Sequence, residues 1–230
     1  GVIIITTKQG VEGKPQINVD YLRSYSSLSN RISQANRLER ILFDRRGGLG
    51  LDPKPDHSTS FSRNSDNDYQ DLITQTAVRN QVDVSVRGGS SNLTYYNSLQ
   101  YLDETGIILN SYNKRFTLRT NVEYRPSKRL TMMTRLNFSY QTKNNIDEGN
   151  VIRQALQRPP GMALYFPDGE FIYFNGGRRN PIAEAYLRTD ISKFSRGFLY
   201  QGFDFTIFTP LKLHLDASAD VALQRRNFFS

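Results

Sequence analysis

The sequence contains no cysteine and no tryptophan in its 230 residues, and only two histidines, His57 and His214. Without cysteine, neither a disulfide framework nor a thiolate metal site can form. No stretch approaches the roughly 18 consecutive apolar residues of a membrane-spanning helix, and the mean hydropathy is −0.56. These absences exclude a helical membrane protein. They do not exclude a membrane β-barrel, whose strands need only about 9–11 residues of alternating character.

Alternation of apolar and polar residues is the dominant pattern in the sequence, and it predicts β-strands. Tight turns are expected at 88–92, 125–129 and 209–210, and longer polar connections at about 29–76, 103–114 and 143–192. The first long connection is expected to hold one helix, Gln34 to Arg45, which would end at Gly47 and Gly48. The alternating segments are 16–27, 81–87, 93–101, 115–124, 130–140, 194–207 and 211–224.

Strand length and loop asymmetry indicate which β architecture this is. The last segment alternates over about 13 residues, well beyond the usual 5–6 of a globular strand. Long strands with short turns at one end and long loops at the other are typical of outer-membrane barrels, although a soluble β-sandwich also has one apolar face. The pattern therefore favours a membrane barrel, with the polar face of its strands turned to a wet lumen.

Two other classes of protein remain as alternatives. A self-contained adhesin or structural barrel would need an eighth strand, because single-chain bacterial barrels have an even number of strands from about eight upward. A nucleic-acid-binding β-protein would fit the net charge of +8 and the pI near 9.7. However, the arginines are interspersed with carboxylates in the sequence: Arg87, Arg119 and Arg135 with Asp83, Asp103 and Glu123.

Several groups of polar residues have a simple structural explanation beside a chemical one. Asp66, Asp68 and Asp71 could hold calcium, but a helix cap or a solvated loop explains them better. Asp168 and Glu170 could be a glycosidase pair, but with Gly169 they indicate the turn of a small hairpin.

The remaining chemistry-bearing residues do not form a catalytic set. His57 is expected on the surface and His214 on the lumen side of the last strand. There is no nucleophile motif, P-loop or GxGxxG sequence. We therefore predict a protein that is not an enzyme, with no catalytic residues, no cofactor and no metal.

Aromatic residues are dense in the last long connection. They flank the predicted turn and could contact a ligand or a lid, or they could simply pack within the loop. These candidate contact residues are Tyr165, Phe166, Tyr173 and Phe174.

A series of short motifs resembles the SusC/RagA-type TonB-linked outer-membrane proteins in order and spacing. It begins with GVIIITTK at 1–8, then Gly10 and Gly13-Lys14-Pro15. It continues with YQDLI at 69–73, NQ at 80–81, VSV at 84–86 and GG at 88–89. It ends with YY at 95–96, SL at 98–99, YLD at 101–103, GII at 106–108, KRF at 114–116, LR at 118–119 and Asn121.

The resemblance implies an all-β fold, a partial antiparallel transmembrane β-barrel of about seven strands preceded by the last strand of a plug domain. Residues 1–12 would be the end of the plug, and 13–230 the N-terminal portion of the barrel, with long loops at about 29–76 and 143–192. We expect part of a longer transporter in the bacterial outer membrane. The resemblance also implies import of glycan or peptide fragments. Its partners would be a SusD-like surface lipoprotein, outer-membrane lipid and the TonB complex, the last through parts outside this sequence, and no nucleic acid.

Overall fold

The computed structural model describes residues 8–47, 65–166, 168–175 and 178–229. The strand predicted within residues 1–7 and the residue His57 lie outside these ranges. None of the helices in the described ranges is long and apolar enough to cross a membrane.

Seven long strands form one antiparallel sheet, which confirms the all-β prediction. Their spatial order is β1-β2-β3-β4-β5-β8-β9, so long strands that follow one another along the chain are neighbours in the sheet. A separate two-stranded ribbon, β6 and β7, lies in the connection before β8. The strands are β1 Gly13–Ser26, β2 Ala77–Gly89, β3 Leu93–Thr105, β4 Tyr112–Ser127, β5 Leu130–Asn144, β6 Phe174–Asn175, β7 Arg178–Arg179, β8 Thr189–Phe208 and β9 Leu211–Phe229.

Cross-strand register places most of the apolar residues of the seven strands on one face. Directly paired residues of antiparallel strands point to the same side of a sheet. One row of paired residues is almost wholly aliphatic or aromatic: Val19, Val84, Leu99, Leu118, Phe138, Gly197 and Val221. Many side chains of this apolar face are exposed, for example Ile17 at 71% and Leu223 at 67%. An apolar surface of this extent is suited to contact with lipid.

The opposite face of the sheet is polar and carries charges of both signs. Arg87, Arg119 and Arg135 lie on it together with Asp83 and Glu123. Asp103 lies at the end of the apolar face instead, opposite Lys114. The mixture of signs on the polar face does not provide the uniformly basic surface that a nucleic-acid interface needs.

The connections lie where the sequence predicted them, but several are shorter than expected because the strands are longer. The tight turns lie at 90–92, 128–129 and 209–210. Between β3 and β4 there are only six residues, 106–111, because both strands extend further than their alternation indicated. Likewise β8 begins at Thr189 and β9 continues to Phe229, although the last residues of β9 lack apolar alternation.

Four helices occur in the described part of the long connections, where the sequence predicted one. The helices are α1 Arg37–Arg46, α2 Tyr69–Leu72, α3 Glu148–Gln157 and α4 Pro181–Leu187. The helix predicted from Gln34 to Arg45 is present as α1, but it begins only after its N-cap Asn36, and Gly47 is its C-cap, in agreement with the predicted stop. The sequence did not predict the other three, of which α2 and α4 are short, whereas α3 has 10 residues, as many as α1.

The segment that leads into β1 lies against the polar face. The side-chain amide of Asn121 donates to the backbone oxygen of Lys8 at 2.8 Å. A Cβ on Gly10 would lie 2.3 Å from the backbone nitrogen of Tyr95, so only glycine fits there. Residues 8–12 therefore run across the polar face of the sheet, near the end where its tight turns lie.

Candidate functional site

The connections opposite the tight turns pack into a compact unit, which we call the cap: the described residues of 27–76, 106–111 and 145–188. Backbone hydrogen bonds join its parts, from Leu109 to Ile73 at 3.0 Å and from Gln75 to Ile107 at 2.8 Å. Its core draws on all three connections, so the loops form one body. The buried core residues are Tyr69, Ile73, Ile108, Ile146, Val151, Ala155, Ile182 and Ala185.

Local sequence explains why each short helix of the cap begins where it does. The Asp68 carboxylate accepts from the backbone N–H groups of Gln70 and Asp71, at 3.0 and 3.1 Å. Asp147 caps α3 in the same way, and Asn180 caps α4 with Pro181 at its first position. Caps of this kind satisfy N–H groups that a helix leaves unpaired at its start.

The acidic cluster at 66–71 is engaged by nitrogen donors. Asp66 accepts from the backbone N–H of Arg37 at 2.9 Å. The guanidinium of Arg31 contacts Asp68 at 3.3 Å and Asp71 at 2.6 Å. The helix-cap explanation is thus confirmed for Asp68, and the other carboxylates hold the segment before α1 against α2.

Gln70 fixes that same segment by pairing with its backbone. Its amide donates to the oxygen of Ile32 at 2.7 Å, and its oxygen accepts from the nitrogen of Ile32 at 3.0 Å. The result is a polar cleft of about 400 Å³ on the cap, whose lining includes Arg31, Gln34 and Asp66.

Tyr69 is the largest side chain buried in the cap core. Burial raises its pKa to about 12, with a smaller opposing effect from Arg158. Its hydroxyl donates to the backbone oxygen of Met162 at 2.8 Å, so the phenol is neutral and satisfied. It joins α2 to the connection before β8, and we assign it a structural role.

A buried carboxylate, Glu184, organises the far side of the cap. It is 1% exposed and pairs with Arg188 at 2.7 Å and with Arg179 at 3.1 Å. Asn150 of α3 also donates to it at 2.9 Å. Burial alone would raise the pKa of this carboxyl, but the hydrogen bonds from Arg188 and Arg179 outweigh it and hold the pKa below its ordinary value.

The predicted aromatic hairpin is present in the cap. Its ends meet at a bridge between Tyr165 and Phe171, and Phe166 donates from its nitrogen to the oxygen of Glu170 at 2.8 Å. Asp168 accepts from the nitrogen of Glu170 at 3.1 Å, and Gly169 has a φ of 91°. This geometry confirms Asp168 and Glu170 as residues of a turn.

The hairpin presents an aromatic pair to the outside. The rings of Tyr165 and Phe171 lie 4.5 Å apart between centroids, and the two residues are 48% and 39% exposed. Ile172, which directly follows Phe171, is fully buried and anchors the hairpin to the cap. Of the other candidates, Phe166 and Tyr173 are half-buried, and the Phe174 side chain lies outside the described atoms. Phe171 was not among the candidate residues, although its position opposite Tyr165 across the turn was a signal for it.

His214 lies on the polar face, in the tight-turn half of β9. Its ring contacts Asp204 on the neighbouring strand through Nδ1 and Asp216 through Nε2, the latter at 2.8 Å. Tyr200 donates to Asp216 at 2.5 Å. Asp216 stands two positions along the same face of β9, which the sequence already shows, whereas Asp204 faces His214 only through the β8–β9 register.

Charge pairs continue along the same face toward the cap. Arg196 binds Asp220 through two hydrogen bonds at 3.0 and 2.6 Å. Arg226 binds Asp190 similarly at 2.6 and 2.5 Å, where Asp190 is almost buried. These bidentate pairs link β8 to β9 on the lumen side.

Comparison with known proteins gives one consistent group. The chain is 35% identical to TonB-dependent receptor P39 of Formosa agariphila over 83% of its length. It is 32% identical to TonB-dependent receptor SusC of Bacteroides thetaiotaomicron over 77%. These matches span only 18% and 17% of the two relatives. No family model matches the chain.

Solved structures with the same fold belong to a peptide importer. The chain superposes on the RagAB importer in its "open-open" state with a TM-score of 0.78, and in its "closed-closed" state with 0.74. The sequence identities are 19% and 18%, and each match covers 96% of this chain and 29% of the neighbour. Over most of its length, the chain is thus similar to part of the TonB-dependent receptors P39 and SusC, and it shares its fold with part of the RagAB importer.

Proposed function

We propose that the chain supplies part of the wall and part of the outer mouth of a transporter that imports glycan or peptide fragments. The observation that carries this proposal is the sheet with one apolar and one charged face, covered by a packed cap at one end only. A wet inner face and a structured outer mouth are what a substrate path through a barrel requires. The names TonB-dependent receptor and RagAB peptide importer, borne by similar proteins, support it.

Within that transporter we assign residues 1–12 to the end of the plug domain and 13–230 to the barrel. The path of residues 8–12 across the polar face supports this division, because a plug must be enclosed by the lumen side of the wall. In this arrangement TonB would act through parts of the protein outside this sequence, and the chain itself would carry out no catalysis.

We further propose that the aromatic hairpin contacts the substrate or a SusD-like lipoprotein lid. Tyr165 and Phe171 form an exposed pair of rings, tilted at 45° to each other, on a hairpin anchored by Ile172. Aromatic faces of this kind stack on sugar rings and apolar side chains. We assign Phe166 in the turn, and Tyr173 and Phe174 after the hairpin, to the same contact region.

The first test concerns import itself. Cells that carry the full-length protein should take up labelled oligosaccharides or peptides of a class that cells lacking its gene do not, and an uncoupler of the inner-membrane proton gradient should stop the uptake. Equal uptake of every probe by the two strains would overturn the proposed function.

The second test separates the hairpin from the rest of the cap. The double variant Tyr165→Ala with Phe171→Ala should lower uptake about tenfold in cells, because stacking on two rings is lost. Tyr186→Ala is the matched control, since Tyr186 is 54% exposed on α4 away from the pair. Outer-membrane insertion is checked for each variant by its heat-dependent migration on gels. An equal loss in both variants would reject the hairpin as the contact while leaving import itself supported.

A further inference from the structure

A row of polar residues crosses the apolar face of the sheet at its cap end. The seven residues are successive register partners, one from each strand, so they stand side by side. We call them the basic row, because four are cationic and one is acidic. Its members are Arg23, Asn80, Asp103, Lys114, Thr142, Lys193 and Arg225.

The neighbouring row toward the tight turns is rich in aromatic residues. Its members are Tyr21, Val82, Tyr101, Phe116, Tyr140, Ser195 and Leu223, and we call it the aromatic row. Tyr and Trp are enriched where a membrane protein passes from hydrocarbon to headgroups. The two rows together thus have the chemistry of a membrane interface.

Strand geometry places the basic row beyond the hydrocarbon. Lys114 is 14 residues from Lys128 in the tight turn, and Arg225 is 15 residues from Pro210. At about 3.3 Å per residue and a tilt of about 40°, 14 residues span about 35 Å along the membrane normal. The apolar band of such barrels is about 25 Å tall, so the row lies at the level of the headgroups on the loop side.

The cations at the β8–β9 end of the basic row lack acidic partners. Lys114, further along the row, is paired with Asp103, whose Oδ2 lies 3.4 Å from the Lys114 Nζ. Lys193 and Arg225 stand directly opposite each other, and neither has a carboxylate within ion-pair distance in the part of the chain that the structure describes. Like charges in direct cross-strand pairs are unfavourable, and an anion between them would remove that cost.

A hollow of about 690 Å³ lies beside Lys114, two strands from Lys193. Its lining combines Tyr101, Phe116 and Tyr140 of the aromatic row with Asp103, Lys114 and Thr142 of the basic row, and with Thr105, Tyr112 and Arg115. Its aromatic floor offers an apolar surface next to the positive charges. A molecule with an anionic head and a hydrocarbon tail matches both parts.

We propose that Lys114, Lys193 and Arg225, with the hollow beside them, bind a phosphate-bearing lipid of the outer leaflet. The cations and the Thr142 hydroxyl hold the phosphate, and an acyl chain lies along the aromatic row. Lipid is the occupant because these residues lie on the face directed away from the lumen, at headgroup depth. This inference rests on the orientation of the sheet in the membrane and does not depend on which substrate is imported.

The test uses the full-length transporter in phosphatidylcholine vesicles that contain either phosphate-bearing lipid A or its dephosphorylated form. Native mass spectrometry after extraction counts the lipid A molecules retained. Wild type should retain the phosphorylated form and not the dephosphorylated one. The variant Lys193→Gln with Arg225→Gln should retain about thirtyfold less, since each of the two basic residues contributes about 1 kcal/mol near an anionic surface and about 1.4 kcal/mol is a factor of ten.

The matched control is Lys143→Gln with Lys212→Gln, which removes the same charge from the polar face. Retention by this control should equal that of wild type. Equal losses in the two double variants, or equal retention of the two lipids, would overturn the proposal. If inorganic phosphate added to the detergent-extracted protein displaces the lipid completely, the site is one for free anions and the lipid assignment is wrong.

Discussion

The seven-stranded wall and the cap use apolar residues in opposite ways. In the wall, isoleucine and leucine side chains stand outward and exposed, as at Ile17 and Leu223. In the cap, residues of the same kind are sealed from solvent, with Ile73 and Val151 each 1% exposed. In the described part of the wall strands, buried apolar residues are few, Ala77 and Leu102, whereas the cap holds a continuous core.

The two regions are therefore adapted to different solvents, the wall to lipid on its apolar face and the cap to water. The wall is held by the hydrogen-bond ladder between strands, and its apolar face is matched to lipid. The cap is held in water by the burial of side chains from three connections. Substitutions that change apolar contact should therefore affect the two regions by different mechanisms.

The largest expected effect is a cavity in the cap. Ile73→Ala in the full-length protein should lower the free energy of cap opening by about 2–5 kcal/mol, because it removes buried methylene groups from a packed core. Amide hydrogen exchange of residues 65–76 and 145–188 measures it. Ile17→Ala, an equal truncation on the wall, should leave exchange in the cap unchanged. Similar acceleration by the two variants would mean that cap and wall open as one unit.

The next effect concerns which face of the wall meets lipid. Val122→Arg should destabilise the barrel by about 2–4 kcal/mol in lipid vesicles, because Val122 lies on the apolar face near the middle of its band. Thr117→Arg, on the polar face of the same strand, should change the unfolding free energy little. Urea unfolding of the vesicle-inserted protein gives both values. A larger cost for Thr117→Arg would reverse the assignment of the faces.

The smallest effect is a pH dependence confined to the cap. Because the pKa of Glu184 is lowered in the folded protein, its ion pairs stabilise the cap above the unfolded pKa of about 4.3. That stabilisation should be lost as the pH falls from the unfolded pKa through the lower pKa of the folded protein. Proteolysis of the cap at a series of pH values, with an acid-tolerant protease, follows the change. In Glu184→Gln this step should be absent, and a step of equal size in that variant would assign it to another group.

Much of the wall could be predicted because its signal is local. The alternation and the turns at 90–92 and 209–210 are visible in the sequence, and the structure confirms seven strands. Strand ends were less predictable. The polar end of β9, with Arg226 bound to Asp190, is strand only because β8 pairs with it.

The candidate site was only partly predictable. The hairpin around Gly169 follows from its turn residues, and the Glu184 to Arg188 spacing of four was an available signal for an ion pair on a helix. The contact between the rings of Tyr165 and Phe171 and the packing of Ile108 in one core with Ile73 are visible only in the folded chain.

The sequence by itself determined the strands, their two chemical faces and the tight turns, because side-chain alternation and turn chemistry act within a few residues. Only the tertiary structure decided the register that aligns Lys193 with Arg225 and His214 with Asp204, and the packing of three distant connections into one cap. Those features depend on contacts between residues far apart in the chain, which no local pattern specifies.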